Sequence, residues 1–385
     1  MTAGAALSLA LLSISSLVAA LALSIVLVRA VRRLLVARRE AKTSLVRPVL
    51  LAMLGEEDQE LSQDALARLL AVDARTWRAL EPTVAGLLGK LRGTSHELLR
   101  TLVVLRGTVA RAKHRVHGFG AVRRAKAAEL LGSLEDPRMT DDLVRRLRDR
   151  DPEVRQVAAR AIGRSGDARG AGPLLGCLVG NSVPPRVVSQ ALLRLGTGAQ
   201  PALVGALRNN DELIRAVAVE ILGLSSAMSA SLAVQQSLLE DPSLEVRIRA
   251  ARSLGRLGMP SALRALQLAT KPEQPDALRA VAARALGELG HTGAVPRLRV
   301  LLRDPVHRVA STAGRALVLL GPKGVVALRK EVANRPRGAG AAHARDALSR
   351  VDLAHPRESP ADAPAPAPAT TAHGASERVA VAVAG

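Results

Sequence analysis

His114 and His117 stand three residues apart and could present two imidazoles to a divalent metal. No cysteine or carboxylate lies nearby to complete the coordination, and Lys113 and Arg115 would repel a cation. Cys177, the lone cysteine, shares a helical pattern with Leu174, Leu175 and Leu178 and reads as a small core residue. The chain has no Gly-Lys-Ser/Thr phosphate loop, nucleophile elbow or His-Glu-x-x-His motif. No catalytic, cofactor-binding or metal-binding residue is therefore assigned. The remaining candidates are arginines, whose chemistry is recognition of carboxylates and phosphates. One set, Arg124, Arg155, Arg215, Arg247 and Arg279, recurs at a regular interval and could form a basic stripe for a phosphate-bearing ligand. A second set, Arg160, Arg249, Arg252, Arg256, Arg284 and Arg315, should face solvent and be available to a partner.

The elements that position these arginines form a repeat. Each anchor arginine is followed three and four residues later by small or apolar residues, and seven and eight residues later by Leu-Gly or its equivalent, as in Arg155, Ala158, Ala159, Ile162 and Gly163. Pro185 and Ala310 anchor two further copies, and the spacings are 31, 30, 30, 32, 32 and 31 residues. A fixed period in this range means stacked units of a solenoid, a class that usually binds partners. Each unit reads as a helix pair. Asp211 precedes one apolar-periodic run, and Asp241-Pro242 and Asp304-Pro305 read as a cap followed by proline. Gly166, Gly196, Gly258, Gly290 and Gly321 fall where helices should end. The expected fold is all-α: an α-solenoid of about seven clear repeats and one or two degenerate N-terminal ones.

The unit Asp-Pro-x-Val-Arg-x-x-Ala-Ala-x-x-Leu-Gly-x-Leu-Gly resembles the HEAT repeat in the short form named after phycobilisome lyases. The best matches are Asp151 to Arg155 and Leu244 to Gly258, and the resemblance covers about residues 119–333. The Pro185 unit departs from the pattern, with Pro184 and Pro185 in place of Val-Arg, and should bend or loosen the stack. The resemblance implies that the anchor arginine bonds an aspartate of the neighbouring unit, which makes the first set a structural ladder. Asp151, Asp211, Asp241 and Asp304 are placed to serve as those partners.

Net charge is +21, and residues 119–333 carry +12 of it, so the repeats themselves are basic and favour anionic partners. Cys177 alone excludes an intramolecular disulfide framework and suits a reducing compartment. No charged side chain occurs from Thr2 to Val28, and Arg29, Arg32, Arg33, Arg38, Arg39, Lys42 and Arg47 follow. That order is the reverse of a secretory signal and predicts a single transmembrane helix over 3–28, N-terminus out and repeats cytoplasmic, in the inner (plasma) membrane. Ser16, Ala20 and Ser24 give that helix a small-residue face. The basic stretch 29–55, kinked at Pro48, should lie on anionic lipid headgroups, each arginine adding roughly 1 kcal/mol. A helical cap with degenerate repeats is expected over 56–118, ending at the Gly118-Phe119-Gly120 junction. The solenoid follows over 119–333, a C-terminal cap or linker over 334–353, and an Ala/Pro-rich disordered tail over 354–385.

Three functions fit these features. The first is a membrane-anchored, non-enzymatic scaffold docking a protein partner, membrane-bound or acidic, on a concave face lined by one helix of each pair. The second is nucleic-acid binding near the membrane, for which the near absence of aromatics is unfavourable. The third, a chromophore lyase or its chaperone-like subunit, rests on the name of the resembling repeat alone.

Overall fold

A computed structural model describes Ser16, Ser44 and residues 20–31, 46–55 and 59–354 of the chain. Described residues 20–31 are helical, and among the described residues no helix is long and apolar enough to cross a membrane. Most of the expected span at 3–28, the basic stretch 32–43 and the tail 355–385 lie outside the described residues. Pro48 falls in the first turn of a helix, Arg47–Gly55, where a missing N–H costs nothing; within the described residues it opens a helix rather than kinking one.

The rest is an α-solenoid. Seven first helices carry the anchors: Ala121–Ser133, Pro152–Ser165, Pro185–Leu195, Glu212–Leu224, Leu244–Leu257, Asp276–Glu288 and His307–Leu319. Each is followed by a second helix, as Gln200–Ala206 follows the third and Val295–Leu301 the sixth. Starts and stops are chemical. Asp151 and Asp211 each accept two backbone N–H bonds at their own helix N-terminus, and Pro152 sits where no N–H is needed. Gly166 and Gly258 end their helices in the left-handed region, at φ 69° and 64°.

Consecutive first helices meet through glycine and a small residue. A methyl group added at Gly163 would lie 2.7 Å from the Cα of Ala191, and one at Gly287 would lie 2.7 Å from the Cα of Ala316. Gly132 faces Ala161, Gly223 faces Ser253 and Gly255 faces Ala285 in the same way. The second helices touch one another far less. The more closely spaced layer takes the shorter arc, so the first helices line the inner side of the curve.

One interface breaks the rule. In the third repeat Leu193 stands at the glycine position, and in the fourth Ile221 stands at the small-residue position. Pro185 also replaces the anchor arginine there, and Asn209 replaces the aspartate found before other repeats. The first helices of these two repeats make much sparser contact than their neighbours do. The loosening expected at Pro184 and Pro185 is thus present, but it rests on four substitutions rather than on the prolines alone.

Both ends of the stack are closed differently. At the N-terminal end, helices Ala74–Leu88, Thr94–Leu105 and Thr108–Val116 bury Trp77, whose Nε1 donates to Thr108 Oγ1 at 3.1 Å. His96, buried in Thr94–Leu105, lies 2.9 Å from the Ser133 carbonyl and ties this cap to the first repeat. At the other end Ala310 offers no arginine, and Arg303 donates two 2.7 Å bonds to the buried carboxylate of Glu331. Helix Ala339–Ala354 then covers the last repeat.

Acid should loosen the stack where its carboxyls are held ionised, and Asp136 is held furthest down. Hydrogen bonding from the Arg138 side chain holds Asp136 down to about 2 against the opposing effect of burial, with further help from the Arg138 amide and the charge of Arg100. A folded carboxyl that ionises more readily than its unfolded form, near 3.8, contributes stability that is whole above that pH and lost as the pH falls through 2. An acid titration followed by circular dichroism should show Asp136→Asn insensitive to the part of the loss that the parent protein suffers between pH 4 and 2.

Candidate functional site

The first arginine set is consumed by the fold. Arg124 donates from Nε and Nη2 to Asp149 at 2.8 and 2.7 Å, Arg215 to Asp241 at 2.8 and 3.0 Å, and Arg279 to Asp304 at 3.1 and 2.9 Å. Each aspartate belongs to the next repeat's entry and also accepts the N–H two residues on, from Asp151, Ser243 and Val306. The partners therefore differ from the expected ones at two positions: Asp151 and Asp211 turn back to cap their own helices, and Asp149, two residues earlier, takes Arg124. Ser243 and Val306, not Asp241 and Asp304, occupy the cap positions. Arg155 finds no carboxylate and donates to the carbonyls of Ser182 and Asp149 at 2.7 and 2.9 Å. Arg247 reaches Gln274 Oε1 at 3.0 Å.

Burial raises Asp149, but the Arg124 hydrogen bonds, the Asp151 amide and the nearby guanidinium charges pull its carboxyl below the usual range. The ladder is thus charged and internal, with only the buried Arg247 Nε left without a partner among its arginines, which leaves it little to offer a ligand.

The second set divides. Arg249 is half-buried and doubly committed, to Glu220 at 2.6 Å and Glu245 at 2.7 Å, so it is not the available side chain expected from the sequence. Arg160 is exposed with an ion pair to Glu153 at 3.3 Å. Arg252 and Arg256 are exposed and make no ion pair among the described residues. Arg284 is exposed and held by Glu288 at 2.7 Å, and exposed Arg315 has only a 3.5 Å contact to Thr312. Arg160, Arg252, Arg284 and Arg315 occupy one register, five residues after their anchors, and so form an exposed stripe on the first-helix layer. Glu129, Gln190 and Glu220 fill that register elsewhere, which concentrates the positive charge over repeats five to seven.

Beside the stripe lies a groove of about 730 Å³ that runs from the fifth repeat to the closing helix Ala339–Ala354. Ile248, Val281, Val318 and Leu319 supply its apolar floor, and Arg284, Arg308, Arg315 and Arg350 its rim. Sequence reasoning missed Arg308 and Arg350. Arg308 stands two residues before its anchor, and Arg350 lies outside the repeats. Asp276 holds Arg308 at 3.2 Å across the repeat boundary, and Asp346 holds Arg350 at 3.6 Å.

The other clefts are built differently. One of about 980 Å³ is lined by Arg145, Arg146, Arg148 and Cys177, another of about 590 Å³ by Arg208, Arg215 and Asp241. Cys177 is buried, its Sγ donates to the Pro173 carbonyl at 3.3 Å, and burial pushes the thiol up, so it is a poor nucleophile. His117 sits 3.0 Å from Asp142, while His114 is exposed, and no cluster of three potential ligands occurs among the described residues.

A family model for HEAT repeats matches residues 114–196, 200–276 and 267–349. The break between the first two spans falls inside the third repeat, between its helices Pro185–Leu195 and Gln200–Ala206. Among solved structures, human deoxyhypusine hydroxylase in complex with glycerol is 20% identical, with 73% of this chain and 97% of that chain covered and a TM-score of 0.30. Kap121p is 14% identical, with 75% and 39% covered and a TM-score of 0.48. The complex of CpcE and CpcF of phycocyanin lyase from Nostoc sp. PCC7120 is 19% identical, with 64% and 92% covered and a TM-score of 0.26. No curated protein sequence matches.

Proposed function

The chain belongs to the HEAT-repeat family, and from that premise we propose that it is a docking scaffold held at a membrane by its N-terminal segment. The observation that carries this reading is the division of labour among the arginines. One set is locked inside the stack, while Arg252, Arg256, Arg284 and Arg315 stand on the inner face with few or no internal obligations. Such a face attracts an acidic protein partner, and a curved solenoid offers it a long surface. The uncharged run to Val28 and the basic flank after it support an anchor over 3–28 with the repeats on the cytoplasmic side. An anchor would hold the face at high effective concentration near a membrane-bound partner and bring the 29–47 arginines to anionic headgroups.

Cell fractionation tests the anchor and cross-linking tests the docking. The full chain should sediment with membranes through a high-salt wash, and a version without residues 1–47 should move to the soluble fraction. A cross-linked acidic partner should depend on the inner face in both. A full chain that is soluble overturns the anchor. Nuclease-sensitive capture by both forms overturns the protein-docking reading in favour of nucleic acid.

A further inference from the structure

The geometry points to an acidic amphipathic helix of a partner protein as the occupant of the groove over repeats five to seven. This inference rests on the docking reading and narrows it to one site and one ligand chemistry.

The floor runs obliquely. Ile248 of the fifth repeat and Val281 of the sixth stand one and two residues after their anchors, whereas Val318 and Leu319 of the seventh stand eight and nine after theirs. The apolar strip therefore crosses the first helices on a slant. Among the described residues the chain has no strand, so the groove offers no sheet edge to an extended segment. A helix satisfies its own backbone hydrogen bonds and can lay one continuous apolar side along the strip.

The rim sets the charge. Arg284, Arg308, Arg315 and Arg350 surround the floor, and Arg252 and Arg256 extend the positive side beyond it. Glu288, Asp276 and Asp346 hold three of these guanidinium groups in exposed pairs. Exposed pairs are weak, so carboxylates of an incoming helix can take their place or join them. Arg315 needs no release at all. Leu319 is 61% exposed in the seventh repeat's first helix and forms a free apolar contact at the groove. Apolar floor and basic rim together exclude a plain polyanion, which would leave the floor uncovered, and a plain apolar helix, which would leave the rim unpaired.

Fluorescence anisotropy with the full chain in detergent micelles tests this. The probe is a labelled synthetic 21-residue helix with leucine along one continuous side and glutamate on both flanks. It should bind, while a scrambled peptide of the same composition and one with lysine for glutamate should bind at least about tenfold more weakly. Arg284→Glu with Arg315→Glu should weaken the probe by about thirtyfold or more, and Leu319→Glu by about tenfold, at unchanged melting temperature. Arg160→Glu, on the same face but outside the groove, should leave it unchanged. Equal binding of the scrambled peptide overturns the inference, as does an equal loss from Arg160→Glu, which would mean diffuse attraction. Displacement of the probe by a 20-nucleotide single strand or by phosphatidylserine vesicles at lower concentration than by unlabelled peptide would also overturn it. If the double substitution abolishes probe binding but spares the cross-linked cellular partner, this groove is not its site, and the docking scaffold itself still stands.

Discussion

Asp241→Ala should destabilise the protein by about 3–5 kcal/mol, the cost of leaving a buried charge without its partner. The Arg215 side chain is 11% exposed and that of Asp241 4%. Removing the carboxylate strands Arg215 Nε and Nη2, which now donate at 2.8 and 3.0 Å, while Nη1 stays pinned to the Asn209 and Asn210 carbonyls. The guanidinium cannot follow its lost partner into water without breaking those bonds. The Ser243 N–H also loses its acceptor, at the entry to the fifth repeat. Asp211→Ala is the control, since it removes only a helix cap and should cost about 1 kcal/mol. Arg215→Met with Asp241→Leu should recover most of the loss, because an apolar pair does not strand a charge. Denaturant midpoints for the four proteins decide the matter. If Asp241→Ala costs no more than Asp211→Ala, the ladder does not lock the repeats together.

The repeat was legible because its constraints are local and strict. Only small residues fit where first helices pack closely, so Gly163, Gly255 and Gly287 fall at one offset from the anchors by which the period is counted. The ladder was less legible. An aspartate ahead of a helix suits either a cap or a bridge, and sequence does not choose between Asp149 and Asp151. The choice follows from geometry: the cap residue's side chain turns back to its own helix amides, so the bridge falls to the residue two places earlier. Arg249 was misjudged because one of its two acids, Glu220, comes from the preceding repeat, 29 positions away. The groove was not legible at all. Ile248, Val281 and Leu319 sit at different registers of apolar-rich helices, and only stacking brings them into one groove.

Gly163→Leu should cost about 3 kcal/mol, at the upper end of the usual penalty for overpacking. Even the first carbon of the new side chain would lie 2.7 Å from the Ala191 Cα and 2.8 Å from its carbonyl oxygen. Those are backbone atoms of a helix and cannot swing aside, so the two repeats must separate. The native chain already shows what separation looks like. Leu193 holds the same register one repeat later, opposite Ile221, and there the first helices make sparse contact and no Arg–Asp bridge spans the gap. In a solenoid the loss should stay near the altered interface, since stability is carried by neighbouring units. Hydrogen exchange should therefore rise in Pro152–Ser165 and Pro185–Leu195 and stay unchanged in Asp276–Glu288. The parent protein should exchange fastest, among its internal repeat boundaries, between the third and fourth repeats. A Gly163→Leu protein with parent-like midpoint and exchange would mean that close glycine contact does not hold the layer together, and the inner-face geometry derived from it would fail as well.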